Sequence, residues 1–419
     1  MSFQQALSGL NAASKNLDVI GNNVANANTA GFKGARAEFA DVYASTSMGV
    51  NTGTVGIGTQ VSGVSQSFTQ GNVSVTDRPF DIAISGDGFF RMDDNGNIVY
   101  TRNGQFQRDA NGYLVNANGM RLTGFPADAT GNINMSQPGP LQLLVNSIEA
   151  RATQTATQGA IIDSRSDVID AADVPFDPDN SQSFTHATSM NVYDSLGNSH
   201  MMSTYYVKRD SGDWAVYVSI DGQFANQPTP PSATIEPVTT LAFGNNGKLD
   251  TSGSNSNGHV TIGPMDLDNG AAPISFAYDL SQTTQTGQDF SNDVQLQDGY
   301  TSGRLTSFSI DDHGIITANY SNQQSRAQGQ ILLATFNNPE GLASVGNNNF
   351  AETTTSGVPR LGGPASSDFG SVRAGALEDA NVDLTKELVD MITAQRVYQA
   401  NAQTIKTQDS LMQTLVNLR

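Results

Sequence analysis

Cysteine is absent from this 419-residue chain. Disulfides, zinc–thiolate sites and thiol nucleophiles are excluded with it. Basic residues are scarce: 21 Lys and Arg stand against 40 Asp and Glu, a formal net charge of −19. Such a chain is a poor ligand for nucleic acid or an anionic membrane. Hydrophobic residues make up 37% and charged residues 15%, both low for a globular protein, while glycine (41 residues) and small polar side chains fill the difference. Thin cores in slender β-domains follow more readily than one large enzyme core, and the length allows about two to four domains. No stretch is long and apolar enough to span a bilayer. The opening segment, MSFQQALSGLNAASKNLDVIGNN, lacks a basic region and a continuous apolar core, so no cleaved secretory signal is expected.

What is present is concentrated at the two ends. Phe3, Ala6, Leu10, Ala13, Leu17, Ile20 and Val24 recur at steps of three and four. Leu384, Leu388, Met391, Tyr398, Ala402, Ile405 and Met412 do nearly the same, with Gln395 and Asp409 in the gaps. This spacing predicts a helix over 3–24, capped by Ser2, and another from about Asp383 almost to Arg419, each with a heptad seam. The ends are also nearly neutral. Residues 1–40 carry three basic and two acidic groups and residues 378–419 four and six, so −18 of the net charge lies between them.

Between the ends the period is two. Short apolar runs at 81–85, 89–92 and 98–100 alternate with Asn95-Gly96, Asn103-Gly104, Asn111-Gly112 and Asn118-Gly119, a hairpin pattern because both central residues tolerate positive φ. Further strands are expected at 191–193, 201–207, 214–220, 304–310, 315–320 and 331–336, with turns at 196–198, 211–213 and 311–314 and surface loops at 227–232 and 251–258. Residues 31–75 and 364–380 read as an extended linker, Gly-rich over 49–63. Helices pairing from opposite ends imply nesting: a mainly β protein with helical termini, 1–30 with 381–419 forming a coiled-coil-like inner domain, 76–149 with 290–363 an inner β-domain, and 150–289 an outer one.

Candidate chemistry is weak. His186, His200, His259 and His313 sit in or beside turns without metal-site spacing and read as surface or strand histidines. The run 53–58 has the wrong glycine order for a nucleotide loop. The run 93–97 lacks the glycine and closing Glu of a calcium loop and reads as a hairpin turn. No catalytic residue, cofactor site or metal site is assigned. Ordering roughly 60 terminal residues costs about 1–2 kcal/mol each, which one two-helix contact, at about 25 cal/mol per Å², does not offset. The ends are therefore expected to fold against other copies.

Two segments carry a resemblance. Asn22-Asn23-Val24-Ala25-Asn26-Ala27-Asn28-Thr29-Ala30-Gly31-Phe32-Lys33 resembles the N-terminal signature of bacterial flagellar rod and hook proteins, with Ala30 where many members have Pro or Tyr. Asn381-Val382-Asp383-Leu384, Glu387-Leu388-Val389 and the run 395–409 resemble the C-terminal end of hook members, and similarity extends through 82–90, 102–106, 320–324 and 340–344. The resemblance implies a non-enzymatic subunit of a hollow, flexible tube joining rod to filament and transmitting torque. It further implies passage through the flagellar export apparatus, location on the cell exterior, and partners among rod, cap and junction proteins besides copies of itself. The assembly interface would comprise Phe3, Leu10, Leu17, Ile20, Val24, Asn26, Gly31, Phe32, Leu384, Leu388, Met391, Tyr398, Ile405 and Met412. Another axial subunit is the nearest alternative; a secreted β-rich adhesin is a further one, to which the single Trp214 lends little.

Overall fold

The computed structural model describes residues 2–42, 56–210, 212–226, 234–250 and 258–417. The expectations for 49–55, Ser211, 227–232 and 251–257, and for the Ser2 cap, fall outside the described residues or side chains. Helix α1 spans Ser2–Ala25 and helix α2 spans Leu384–Asn417. Asp383 caps α2, its Oδ1 accepting the Thr385 and Lys386 N–H groups at 2.9 and 3.2 Å. Past the end of α1, the Asn26 amide turns back on the Asn22 carbonyl and side chain (2.9 and 2.8 Å).

The helices run antiparallel. Asn23 bonds Glu387 at one end of the pair, and Gly9 meets Asn401 near the other, where an added Cβ would lie 2.8 Å from the Asn401 amide nitrogen. Small residues permit this approach: Ala6, Ala12 and Ala13 of α1 and Ala394 of α2 are buried.

Where an extended linker was expected, the chain forms paired strands. Ala35–Val42 pairs antiparallel with Gly58–Gln66, with a bulge at Glu38/Phe39, and this ribbon is tied to α1 by Gln5 Nε2 donating to the Gly56 carbonyl (2.6 Å). Val73–Val75 pairs with Ala376–Glu378, and Ile82–Ser85 with Ser371–Ala374. Apart from Ile82–Ser85, whose apolar run was expected, composition hid these strands because their order comes from backbone bonds to distant partners rather than from apolar alternation.

The chain divides into two compact units, 1–145 with 307–319 and 325–419, and 146–306 with 320–324. In the first, one sheet runs Ile315–Tyr320, Ser325–Ile331, Arg121–Pro126, Phe89–Asp94, Asn97–Thr101, Asn349–Ala351. Strands from before and after the second unit thus interleave, which is the nesting expected from the paired ends. Its core gathers Ile84, Phe90, Met92, Leu122, Ile331 and Leu333. The second unit holds two five-stranded sheets over a core around Trp214, Tyr206, Tyr278, Ile162 and Val216. Its central strand Thr155–Asp163 runs parallel to Ile274–Asp279 and antiparallel to Ser291–Gln297, and none of these three was expected from the sequence. The unit is wider than 150–289 because the entering and leaving segments pair, Ile148 with Gly303 and Arg151 with Tyr300.

Hairpins share one turn. The side chains of Asp109, Asn116, Asp128, Asp194 and Asp311 each accept the N–H groups two and four residues on, at 2.7–3.1 Å. The glycine three residues on has φ between 73° and 92°. Asn95-Gly96 instead has positive φ at both residues, as its sequence predicts. Asn103-Gly104 is no such turn: Gly104 lies against the Ile82 carbonyl, and a side chain would collide with it.

Candidate assembly surface

The base of the helix pair is fastened to the β-body of the first unit by one carboxylate. Glu378 Oε1 receives Lys33 Nζ at 2.7 Å and the Gly71 N–H at 2.9 Å, and Oε2 receives Arg102 Nη1 at 3.4 Å. The Glu378 carbonyl accepts the Gly31 N–H at 2.7 Å. Lys33 and Glu378 side chains are wholly buried. Burial pushes the Lys33 ammonium below the usual lysine range, an effect the Glu378 carboxylate opposes. Lys33 also donates to the Thr69 carbonyl at 2.8 Å, and the Arg102 Nε is buried with no partner. Two cations from two segments thus share one anion.

Two asparagines complete the fastening. Asn23 Nδ2 donates to the Ala35 carbonyl (2.8 Å) and to Glu387 Oε1 (3.1 Å), while its Oδ1 accepts the Ala35 N–H (2.9 Å). Asn381 Oδ1 accepts the Gly34 N–H (2.7 Å), and its Nδ2 donates to the Ser67 carbonyl (2.7 Å). The roles of Asn23, Lys33, Arg102, Glu378 and Asn381 were not read from the sequence, although most of them lie in the segments that carry the family resemblance. Gly31 has φ +68°, and a Cβ there would lie 2.5 Å from the Arg102 carbonyl carbon. Only glycine fits this crossing of two backbones.

Beyond the base, α1, α2 and the ribbon enclose a groove of about 900 Å³, lined by Ala12, Val19, Phe39, Val382, Ala394 and Val397 among others. The expected interface residues divide into three sets. Ile20 and Gly31 are buried, and Leu10, Leu17, Val24, Asn26, Phe32, Met391 and Ile405 are half-buried. Phe3, Leu384, Leu388, Tyr398 and Met412 are exposed, as are Leu7, Val389, Ile392, Val397 and Leu411, which the expected interface did not include. Of the seam, Ile20 is buried and Leu10, Leu17, Val24, Met391 and Ile405 are half-buried, whereas Leu384 and Leu388 lie exposed. The small residues Ala6, Ala12, Ala13 and Ala394 are buried as well, and the Leu384, Leu388, Ile392 stripe lies open on the flank.

Of the histidines, which were expected at the surface or in strands, His200 is a buried one in the strand Ser199–Lys208. Its Nδ1 lies 2.6 Å from Asp221 Oδ2 and its Nε2 3.1 Å from Asp194 Oδ2, and Asp194 Oδ2 also accepts the amides of Asn198 and Asn269, each at 2.8 Å.

Comparison with known proteins follows this architecture along the chain. Residues 3–33 match the family model described as flagella basal body rod protein, 83–162 the flagellar hook protein FlgE/F/G D1 domain, 161–300 the flagellar basal body protein FlaE D2 domain, and 373–418 the flagellar basal body rod FlgEFG protein C-terminal model. The flagellar hook protein FlgE of Salmonella typhimurium is 44% identical over 425 aligned residues, covering all of both chains. That of Escherichia coli K12 is 44% identical over 422, again covering all of both. A crystal structure of Helicobacter pylori flagellar hook protein FlgE2 shares the fold at a TM-score of 0.54 and 14% identity, over 73% of this chain and 100% of that one. With helical ends, nested β-domains and full-length identity in agreement, this chain belongs to the flagellar hook protein family, FlgE.

Proposed function

We propose that this chain is the structural subunit of a flagellar hook, polymerising with copies of itself into a hollow tube that joins rod to filament and carries torque. The observation that carries the reading is the open apolar stripe Leu384, Leu388, Ile392 on a helix already fastened to its own chain. Large exposed apolar residues in a row mark a surface that another molecule covers. Near-neutral ends suit crowded helices, while the acidic middle discourages random sticking of the β-domains. Residues 1–30 with 381–419 would form the inner layer, 76–149 with 290–363 the β-domain next to it, and 150–289 the outer one. Rod, cap and junction proteins are the proposed partners at the two tube ends, and the proposed route to the cell exterior is the flagellar export apparatus without signal cleavage. The role is mechanical rather than catalytic.

Deleting residues 384–419 retains Glu378 and Asn381 and should leave the β-units folded, but no tubes should form. Tubes of the truncated chain under electron microscopy would refute the reading. Complementation of a hookless strain separates hook from rod or junction roles.

A further inference from the structure

Asparagine is followed by glycine at positions 95, 103, 111, 118, 246 and 269 of the described residues. Such a pair carries its own reactive centre. The glycine backbone nitrogen can attack the asparagine side-chain carbonyl carbon. A carbon–nitrogen bond forms there as the bond to the amide nitrogen breaks. The proton of the attacking nitrogen leaves with that amide as ammonia, and a five-membered imide remains. Water then opens the imide at either carbonyl, giving aspartate or isoaspartate. Glycine favours the reaction because no Cβ obstructs the ring closure.

Two conditions decide which pair reacts: a glycine N–H that no acceptor holds, and room for the ring to close. Four pairs fail the first. Gly96 donates to Asp93 Oδ1 (2.7 Å), Gly112 to the Asp109 carbonyl (3.1 Å), Gly119 to the Asn116 carbonyl (3.0 Å) and Gly247 to the Gly244 carbonyl (2.9 Å). Asn103-Gly104 fails the second, because Gly104 is buried and its carbonyl is held by the Ile82 N–H at 2.9 Å.

Asn269-Gly270 meets both conditions. It lies between the strands His259–Met265 and Ile274–Asp279 of the second unit, and both residues are exposed. The Gly270 N–H has no partner among the described residues, and an added Cβ would meet nothing within 4 Å. Asn269 Oδ1 accepts the Ala271 N–H at 2.9 Å. That bond closes a ring containing both the side-chain carbonyl carbon and the Gly270 nitrogen, so electrophile and nucleophile are kept side by side. It also places a donor on the oxygen where negative charge develops during attack. The amide that would leave is engaged as well: Asn269 Nδ2 donates to Asp194 Oδ2 at 2.8 Å and lies 3.4 Å from His200 Nε2. A carboxylate at 269 would turn an acceptor toward Asp194 where a donor now stands.

We propose that Asn269 is a site of spontaneous modification, its amide converting through the imide to aspartate or isoaspartate, and that the conversion loosens the Asp194–His200 cluster of the second unit. The site belongs to the folded single chain and is independent of the assembly reading.

The test follows each pair separately. The full-length chain is kept folded in warm, mildly alkaline heavy-oxygen water beside a sample unfolded in guanidinium, and peptides are mapped by mass spectrometry for acid that has taken up the label. In the folded chain Asn269 should be consumed about tenfold faster than Asn95, Asn111, Asn118 and Asn246, since each of those must first give up a glycine hydrogen bond of ordinary strength. Unfolding should erase the difference. Equal rates in the folded chain, or an Asn269 that outlasts the other four, would overturn the site. Asn269→Gln, which keeps an amide but disfavours the ring by one carbon, should abolish conversion of that peptide; conversion at an undiminished rate would overturn it too. Asn269→Asp reproduces one product and should lower the Trp214 unfolding midpoint at neutral pH. An unchanged midpoint would overturn the loosening of the cluster.

Discussion

Glu378→Gln should uncouple the helix pair from the β-body while leaving the second unit untouched. Glutamine keeps the volume and one acceptor, so the substitution isolates charge. It leaves Lys33 and Arg102 facing each other without an anion, in a site where the Lys33 and Glu378 side chains are wholly buried and that of Arg102 is 3% exposed. Removing one partner of a buried pair costs about 3–5 kcal/mol. At about 4 kcal/mol, opening of the junction becomes roughly a thousandfold more frequent. Lys33→Met is the control. It removes one of the two cations, fills the space with an apolar chain and leaves Glu378 paired one-to-one with Arg102, so its cost should be nearer 1–2 kcal/mol, chiefly the Thr69 carbonyl losing one of its two donors and keeping the Asn381 amide. Two probes separate the effects during denaturant unfolding. Among the described residues, the α-helical ellipticity arises from α1 and α2, whereas the single tryptophan, Trp214, is buried in the second unit. Glu378→Gln should lower the midpoint of the helical signal and leave the Trp214 midpoint in place. A Lys33→Met loss as large as that of Glu378→Gln, or a helical midpoint unmoved by either, would refute the charge argument.

Leu388→Asp should abolish assembly and change unfolding of the monomer by less than about 0.5 kcal/mol, since the site is largely open; Ile405→Asp, half-buried, should weaken both, and equilibrium unfolding beside electron microscopy distinguishes them. Gly31→Ala should cost at least about 2 kcal/mol of junction stability, read by hydrogen exchange in α1, because a left-handed residue is strained there and its Cβ meets the Arg102 backbone. The second unit should be most stable in mildly acidic solution. Burial opposes charge on His200, but its bonds to Asp221 and Asp194 outweigh that and raise its pKa; two acceptor carboxylates, one on each ring nitrogen, require both nitrogens to carry protons. The His200 contribution is complete below its ordinary value of 6.5 and is lost as pH rises through the raised one. Asp194 is held low by Asn198 and His200 against the effect of burial, so its contribution is complete above 3.8 and is lost as pH falls through the lowered value. Trp214 unfolding midpoints measured across pH should show both limbs, and His200→Gln should flatten the alkaline one; an unchanged alkaline limb would refute the assignment.

The terminal helices were legible because a stripe such as Leu384, Leu388, Met391 has no β-strand equivalent. The use of that stripe was not. A seam of large residues resembles a pairing surface, but part of it, Leu384 and Leu388, stays open in the chain, while Gly9, Ala12, Ala13 and Ala394, which look like filler in a sequence, are buried or closely approached once two backbones meet. The Asp-x-x-Gly turns were half visible: Asn111-Gly112 and Asn118-Gly119 marked their positions, while the accepting side chains Asp109 and Asn116, two residues earlier, went unnoticed. Strands such as Thr155–Asp163 and Gly58–Gln66 carry Gly, Ser, Thr and Gln where alternation would call for apolar residues, and a partner far along the chain defines them. The pairing of Lys33 with Glu378 spans 345 positions, beyond the reach of any local pattern.

Nesting also sets a schedule. The second unit draws almost all its contacts from one stretch, 146–306, so it can close as soon as that stretch is free. The sheet of the first unit must wait for residues after 314 to meet those before 127. The helix pair waits longest, since Asn23 and Glu387 are 364 positions apart and long loops are the slowest to close. The stripe Leu384, Leu388, Ile392 therefore reaches its final place only after both β-units have closed, so the order of the domains along the sequence also sets the order in which their surfaces take shape.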